Sequence, residues 1–178
     1  GLDEGQTEVD LSKRELMPID AKLIAWELTT GFVSSSMNKL NVLSNSIGDE
    51  GYEILTKAAE AKGILTLVGF DEGQTEADLS NKRLGPIDGK LIARELTTGF
   101  VSSSMTFLDL SSSKLCGVYG NRGQYGTYDA TGIKAIADAL SVSSSMKSLN
   151  LASNYLGFNM STRELDMTGI KAIANALS

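Results

Sequence analysis

The chain has 178 residues, 42% of them apolar, which is enough for one globular domain with a core. A net charge of −6 argues against sequence-independent binding to nucleic acid phosphates or to an anionic membrane, since both require clustered Lys and Arg. Histidine is absent, and Cys116 is the single cysteine. These counts exclude Ser-His-Asp and Cys-His catalytic arrangements, His-ligated zinc and an internal disulfide.

The chain begins with a segment that it repeats. Residues 1–37 recur 68 positions later as residues 69–105, with 29 of the 37 aligned positions identical. A second pair of segments matches in the same way, since TGIKAIADALS (131–141) returns as TGIKAIANALS (168–178). The sequence therefore predicts a protein built by internal duplication.

A shorter unit lies within the duplicated segments. Apolar residues fall at positions 1, 4, 6 and 11 of an eleven-residue stretch, and a segment of helical period follows each stretch. Alternation at positions 4 and 6 predicts a short strand with two inward side chains. In chain order the stretches are QTEVDLSKREL (6–16), MNKLNVLSNSI (37–47), QTEADLSNKRL (74–84), MTFLDLSSSKL (105–115) and MKSLNLASNYL (146–156). Residues 64–74, ILTLVGFDEGQ, lengthen one spacing, and we expect their apolar start to pack before the next strand.

The intervening segments predict helices that bury one face. In residues 18–28 the predicted inward side chains are Leu23, Ile24 and Leu28, with Asp20 as N-cap. In residues 129–141 Asp129 is the predicted cap, and the inward face comprises Ile133, Ile136, Ala137 and Leu140.

The eleven-residue stretches resemble the leucine-rich-repeat pattern LxxLxLxxNxL, and one strand, turn and helix per repeat is similar to the ribonuclease-inhibitor-like branch of that family. The resemblance implies an α/β solenoid of about five repeats, curved, with parallel strands on the concave face and helices on the convex face. It implies one domain over residues 1–178, with repeats starting near 6, 37, 74, 105 and 146. The family expects Asn at position 9, and only Asn45 and Asn154 fit, so we expect less regular turns elsewhere.

Position 5 of the five stretches forms a row of Asp and Asn on the predicted concave face. Adjacent carboxylates there would repel each other unless a cation or basic partner group lay nearby, so one interpretation is an acidic groove for a basic partner. The alternative is that Asp and Asn simply suit solvated strand positions. Phe107 is the one large apolar residue expected to point outward beside this row. The row consists of Asp10, Asn41, Asp78, Asp109 and Asn150.

Two further features are candidate contacts. Trp26 aligns with polar residues in the other helices, so we expect it on the helical surface, either bound to another chain or lying across neighbouring side chains. Residues 117–128 read as an inserted loop, because the spacing of its glycines fits neither phosphate-binding motif. Its aromatic side chains either form a rim for a partner or pack back onto the repeats. The loop's candidate residues are Tyr119, Arg122, Tyr125 and Tyr128. Cys116, just before it, is expected to be a packed and inert thiol.

We predict no enzyme activity, catalytic residue, cofactor, metal or small-molecule substrate, and no contact with nucleic acid or insertion into a membrane. The resemblance implies a protein-protein interaction module that is a structural or scaffolding subunit of a larger assembly. The alternative is a regulator of an enzyme, either an inhibitor or an activator, that binds the enzyme through the concave face. Neither end carries a polar cap, so we expect a longer repeat array or ends covered by partners. The repeats also resemble those of solenoid proteins from single-celled algae, which implies an intracellular setting, cytoplasmic or plastid.

Overall fold

The computed structural model describes residues 6–30, 37–98, 101–117, 120–121, 124–125, 127–159 and 162–177. It confirms a mixed α/β chain, in which the described residues form five helices and several short strands. The backbone groups into two compact units, Gly1–Asp71 and Glu72–Ser178, and each is described by itself below. No helix in the described ranges has the length and apolar character needed to cross a bilayer. A single domain over residues 1–178 stays a prediction.

Unit 1 alternates strands and helices. Its elements are β1 (Glu8–Asp10), α1 (Pro18–Thr30), β2 (Lys39–Asn41) and α2 (Gly48–Lys62). The strands β1 and β2 are parallel, with Val9 opposite Leu40. Parallel pairing follows from the sequence, because a helix lies between the two strands and carries the chain back to the same end.

Residues 66–68 add a further ladder to unit 1. The backbone N–H groups of Leu40 and Val42 donate to the carbonyl oxygens of Thr66 and Leu67, each at 3.0 Å. Leu67 is fully buried. The apolar start of residues 64–74 therefore pairs with the strand before it in the chain, whereas the sequence suggested only packing ahead of the next strand.

Unit 2 repeats the strand-helix alternation. Its elements are β3 (Glu76–Asp78), α3 (Pro86–Thr97), β4 (Phe107–Asp109), β5 (Gly120–Asn121), β6 (Gln124–Tyr125), α4 (Thr131–Val142), β7 (Ser148–Asn150), β8 (Phe158–Asn159), β9 (Glu164–Leu165) and α5 (Thr168–Ala176). The strands β3, β4 and β7 form one parallel sheet in that order, with Ala77, Leu108 and Leu149 aligned. The short pairs β5–β6 and β8–β9 are antiparallel.

The buried core includes many of the apolar positions that the repeat pattern predicts, although positions 4 and 6 of β1 and β7 are only half-buried. Positions 4 and 6 are buried in β2 and β4, as Leu40, Val42, Leu108 and Leu110. In α1, Ile24 and Leu28 are buried as predicted. The prediction for Leu23 was wrong, since 55% of it is exposed. The buried stripe of α1 is turned toward α2, where a Cβ on Gly51 would lie 3.0 Å from Ala21, and Leu23 lies on the other flank.

Two asparagines tie neighbouring turns together. The Asn45 side chain donates through Nδ2 to the carbonyl oxygens of Leu11 and Val42 at 2.8 Å, and its Oδ1 accepts from the N–H groups of Arg14 and Leu16 at 3.0 Å. Each asparagine thus satisfies backbone groups of its own repeat and of the one before.

Asn154 bonds in the same way in unit 2. Its Nδ2 donates to Leu110 O at 2.8 Å and to Leu151 O at 3.1 Å, and Leu115 N donates to its Oδ1 at 3.3 Å. At the position equivalent to Asn45, unit 2 has Ser113, whose hydroxyl group is buried and makes no hydrogen bond within the described part of the chain. The short serine side chain cannot replace the amide.

Every turn has the same left-handed bend. The residue at position 8 has a φ between 54° and 61° in all five stretches, although none of these residues is glycine. They are Lys13, Ser44, Asn81, Ser112 and Ser153. The bend directs the chain from the strand toward the helix.

Aspartate side chains lie at the starts of three helices, but neither Asp20 nor Asp129 is the N-cap that the sequence predicts. Asp20 lies inside α1 and is not its N-cap, because its Oδ2 reaches back and accepts from Met17 N at 2.8 Å. Asp88 makes the same contact with Gly85 N at 2.7 Å. Asp129 lies one residue before Ala130, the N-cap of α4, and its Oδ1 accepts from Thr131 N at 2.8 Å.

Candidate interaction surfaces

The row of Asp and Asn at position 5 is present in both units and has one common local role. Each side chain accepts, through Oδ1, the backbone N–H group two residues further on, at 2.8–3.1 Å. This contact is an Asx turn, which stabilises the chain as it leaves the strand. These contacts favour a local structural role, in which the Asp and Asn side chains stabilise the turn after the strand. The turn contact uses only the Oδ1 oxygen of each aspartate.

Asp78 and Asp109 lie opposite each other in the sheet of unit 2. The Ser80 hydroxyl and backbone N–H groups hold the pKa of Asp78 below its ordinary value, although the charge of Asp109 acts in the opposite direction. Ser111 lowers the pKa of Asp109 in the same manner, and Asn150 Nδ2 donates to Asp109 Oδ2 at 2.9 Å. Both carboxylates therefore remain negative at neutral pH, and the second oxygen of Asp109 is oriented by its neighbour.

The equivalent face of unit 1 forms an open groove of about 340 Å³, lined by Glu8, Val9, Asp10, Lys39, Asn41 and Gly69. Lys39 Nζ lies 3.4 Å from Glu8 Oε2 and also contacts Asp71 Oδ1, which is the main cause of its raised pKa. The groove thus has a cation already held by two carboxylates, and Asp10 lies beside them.

The two strand faces differ at the residue next to the acidic row. Lys39 in unit 1 corresponds to Phe107 in unit 2, which lies opposite Glu76 and Ser148 and is half-buried. The predicted outward Phe107 is therefore only partly available. The sequence pattern alone did not reveal the groove, because Gly69 reaches it through the ladder at residues 66–68.

The helical side of unit 1 has an exposed apolar stripe that includes a predicted site residue. Trp26 is 54% exposed, as its alignment with polar residues predicts, and Ile19 and Leu23 follow the same stripe of α1 at spacings of four and three. We call Ile19, Leu23 and Trp26, together with the adjacent Met17, the α1 face. The sequence analysis had assigned Leu23 to the core and so did not detect this stripe.

The duplicated helix α3 provides a comparison for the α1 face. Leu91, the counterpart of Leu23, is fully buried, and Arg94, the counterpart of Trp26, has a largely buried side chain with its guanidinium 3.3 Å from Glu95. The equivalent positions are therefore buried in α3 and exposed in α1. Trp26 therefore stands on the exposed face of α1, where α3 has the largely buried Arg94.

The inserted loop, residues 117–128, includes the antiparallel pair β5–β6. Its base is closed by a hydrogen bond from Asp129 N to Cys116 O at 2.9 Å, and Gly117 has a φ of 71° and approaches Thr127 O so closely that a Cβ would lie 2.7 Å away. Tyr119 and Arg122 lie outside the described residues, and Tyr125 is described by its backbone in β6 alone. The strands β8 and β9 form a second antiparallel pair, which the sequence did not predict.

Tyr128 packs back onto the repeats. Its hydroxyl group donates to Leu156 O at 2.7 Å, lies 3.3 Å from Asp166 O, and accepts from Gly169 N at 3.4 Å. Burial raises the pKa of Tyr128 to about 12. For this tyrosine the contacts favour the structural alternative, and the phenol ties the end of the loop to the last turn and to α5.

Cys116 lies beneath the loop and is fully buried. Burial raises the pKa of its thiol to about 11, a value at which the thiolate is scarce at neutral pH. The prediction of a packed thiol is confirmed.

Within the described ranges, no group of three or more Cys, Asp or Glu side chains is placed to hold a metal ion, so Asp78 and Asp109 have no third acidic ligand there. The candidate surfaces are thus an acidic strand face in each unit and the apolar α1 face in unit 1. No protein-family model matches the chain, and a search of curated proteins finds no similar sequence.

Proposed function

We propose that this chain is a non-catalytic protein-interaction module with the architecture of a leucine-rich-repeat solenoid, and that it serves as a structural or scaffolding subunit of a larger assembly. The in-register parallel strands, the recurring left-handed turns and the bridging asparagines support the repeat assignment. Such arrays use their extended surfaces to bind other proteins.

The single observation that carries the functional proposal is the open α1 face. Covering this exposed stripe of Met, Ile, Leu and Trp would stabilise a complex by about 25 cal/mol for each Å² of apolar surface removed from water. Trp is also the residue that most often dominates binding energy at protein interfaces. We assign the main contact of the scaffold to this face.

The test is the variant Trp26→Arg, which copies the residue at the equivalent position of α3. In material from the native source, the complex is isolated by size-exclusion chromatography, and the amount of partner per chain is measured. We expect at least a tenfold loss of partner in the variant. The matched control is Val142→Arg, at an exposed apolar residue at the end of α4. Equal retention of partner by both variants would show that the α1 face is not the contact.

A second candidate function, regulation of an enzyme through the strand face, is favoured by the ionised pair Asp78 and Asp109. A basic segment laid across the sheet would meet both charges at neighbouring strands. The probe is an oligolysine peptide, titrated at low and high salt. We expect binding that weakens severalfold in the double variant D78N/D109N and also weakens with salt. A control pair on α2, D49N/E53Q, should bind like the parent chain.

A further inference from the structure

The turns after β3 and β4 in unit 2 meet through the same backbone hydrogen bonds as the turns after β1 and β2 in unit 1. Three bonds join each pair of turns, with donors Leu79, Asn81 and Lys114 at 2.8, 3.0 and 2.7 Å in unit 2, and Leu11, Lys13 and Ser46 at 2.8, 3.1 and 2.8 Å in unit 1. Each pair of equivalent lengths differs by no more than the last digit. The turns in unit 2 are therefore as far apart as those in unit 1.

One side chain distinguishes the two pairs of turns. In unit 1, Asn45 Oδ1 accepts from Leu16 N at 3.0 Å, and Asn45 Nδ2 donates to Leu11 O at 2.8 Å. Ser113 occupies the equivalent position in unit 2, and its side chain is shorter by the tip of an amide group. Because the turns have not moved closer together, the serine does not reach across the distance that the asparagine bridges.

Three polar groups surround the place where the amide would lie in unit 2. The Ser113 hydroxyl is buried and makes no hydrogen bond with the described residues. The Leu84 N–H group and the Leu79 carbonyl oxygen are the counterparts of the two backbone groups that Asn45 satisfies, and Leu84 is fully buried, with Leu79 7% exposed. Buried polar groups in folded proteins are nearly always bonded to protein or to ordered water.

We propose that one internal water molecule binds to Ser113, Leu79 and Leu84 and joins the turns after β3 and β4. The water accepts from the Leu84 N–H group, donates to the Leu79 carbonyl oxygen, and shares a third hydrogen bond with the Ser113 hydroxyl, which can donate or accept. Internal waters typically make about three such bonds. An apolar occupant would leave all three groups without a partner. This site is independent of the proposed interaction surfaces.

The next turn of unit 2 offers a matched comparison. There the Asn154 amide joins the turns directly, because Leu115 N donates to its Oδ1 at 3.3 Å and its Nδ2 donates to Leu110 O at 2.8 Å. Leu115 and Leu84 occupy the same position of the repeat, and both are fully buried. Of these two amides, only that of Leu84 should lie next to a water molecule.

The first test measures nuclear Overhauser effects between water and backbone amides in the full chain labelled with nitrogen-15. We expect a cross-peak from water to the Leu84 amide and none to the Leu115 amide. Ser113→Asn should abolish the Leu84 cross-peak, because the longer side chain displaces the water. Ser113→Ala should retain it, because the two backbone groups still bind the water and no hydroxyl proton is left to relay the signal.

Oxygen-17 magnetic relaxation dispersion counts the long-lived waters independently. We expect one fewer in Ser113→Asn than in the parent chain, and an equal count in Ser113→Ala. The proposal is wrong if the parent chain shows no cross-peak at Leu84, if Ser113→Ala abolishes it, or if Ser113→Asn keeps the full count of waters. Should Ser113→Asn fail to fold, the spectra of the parent chain and of Ser113→Ala decide the question.

Discussion

Asn45 and Ser113 occupy equivalent positions in the duplicated sequence, but only the Asn45 side chain bridges two turns. The Asn45 amide accepts from Arg14 N and donates to Leu11 O, both in the preceding repeat. The Ser113 hydroxyl is buried and makes no hydrogen bond among the described residues. The turn at Ser113 therefore has the same left-handed bend as the turn at Asn45 without a side chain that bridges it to the turn before.

The first prediction concerns this difference. We expect Ser113→Asn to raise the free energy of unfolding by about 1 kcal/mol, because the amide can reach the carbonyl oxygens of Leu79 and Leu110 and the N–H groups of Lys82 and Leu84. The reverse change, Asn45→Ser, should lower it by about 1–2 kcal/mol, since it leaves partly buried backbone groups without partners. Urea denaturation measures both. A destabilising Ser113→Asn would mean that the turn of unit 2 has no room for the amide.

The second prediction concerns the phenol that closes the inserted loop. Tyr128→Phe removes the donor to Leu156 O, and we expect a loss of about 1–2 kcal/mol in the free energy of unfolding, because a partly buried carbonyl oxygen loses its partner. Tyr155→Phe is the matched control at an exposed tyrosine and should change stability by less than about 0.5 kcal/mol. Equal effects of the two changes would argue against a structural role for Tyr128.

The third prediction tests the close contact between α3 and α4. A Cβ on Gly132 would lie 2.3 Å from Pro86 O, so Gly132→Ala must push the helices apart and should cost about 3 kcal/mol. Gly85→Ala is the control, because its backbone φ is −102° and the nearest atom would be 3.9 Å away. The control should stay within about 1 kcal/mol of the parent chain in thermal or urea unfolding.

The fourth prediction follows from the raised pKa of Cys116. Iodoacetamide at pH 8 should leave the folded chain unmodified and label the urea-unfolded chain, as mass spectrometry will show. Because the folded thiol keeps its proton to about pH 11 and the unfolded one releases it near 9, the free energy of unfolding should fall as pH rises from about 9 to 11. Cys116→Ala should remove this part of the decline, and rapid labelling of the folded chain would contradict the buried position.

The fifth prediction concerns acid. The pKa values of Asp78, Asp109 and Asp166 are lowered by the hydroxyl groups of Ser80, Ser111 and Thr168, respectively. The unfolded chain therefore binds more protons below about pH 4, and the free energy of unfolding should fall as pH drops through that range. The triple variant D78N/D109N/D166N, which keeps the Oδ1 acceptor, should show a shallower decline in urea unfolding between pH 6 and 2.5. An unchanged slope would mean that these aspartates are not responsible.

The repeat pattern predicted the five parallel strands and much of the core because positions 4 and 6 alternate in every stretch, but it did not predict the antiparallel pairs β5–β6 and β8–β9. It misjudged Leu23, since the direction of a helical stripe depends on which flank the neighbouring helix covers, and sequence period does not specify that. It also missed the ladder at residues 66–68, which lacks the rest of the eleven-residue pattern. The Asx row was found at the right positions, but its turn-forming contact depends on the backbone two residues later. The open α1 face became visible only when the burial of α1 and α3 was compared.

The left-handed bend at position 8 has a consequence for how the fold forms. An L-residue other than glycine in this conformation costs about 1–2 kcal/mol, and the five turns place Lys, Ser and Asn there. Ladder hydrogen bonds to the adjacent repeat help to hold the bend, as when Lys13 N donates to Leu43 O and Ser112 N donates to Ala152 O, and they add to the local Asx turn of each stretch. A peptide cut from one repeat would relax to another conformation, and each turn is therefore a product of cooperative folding among its neighbours.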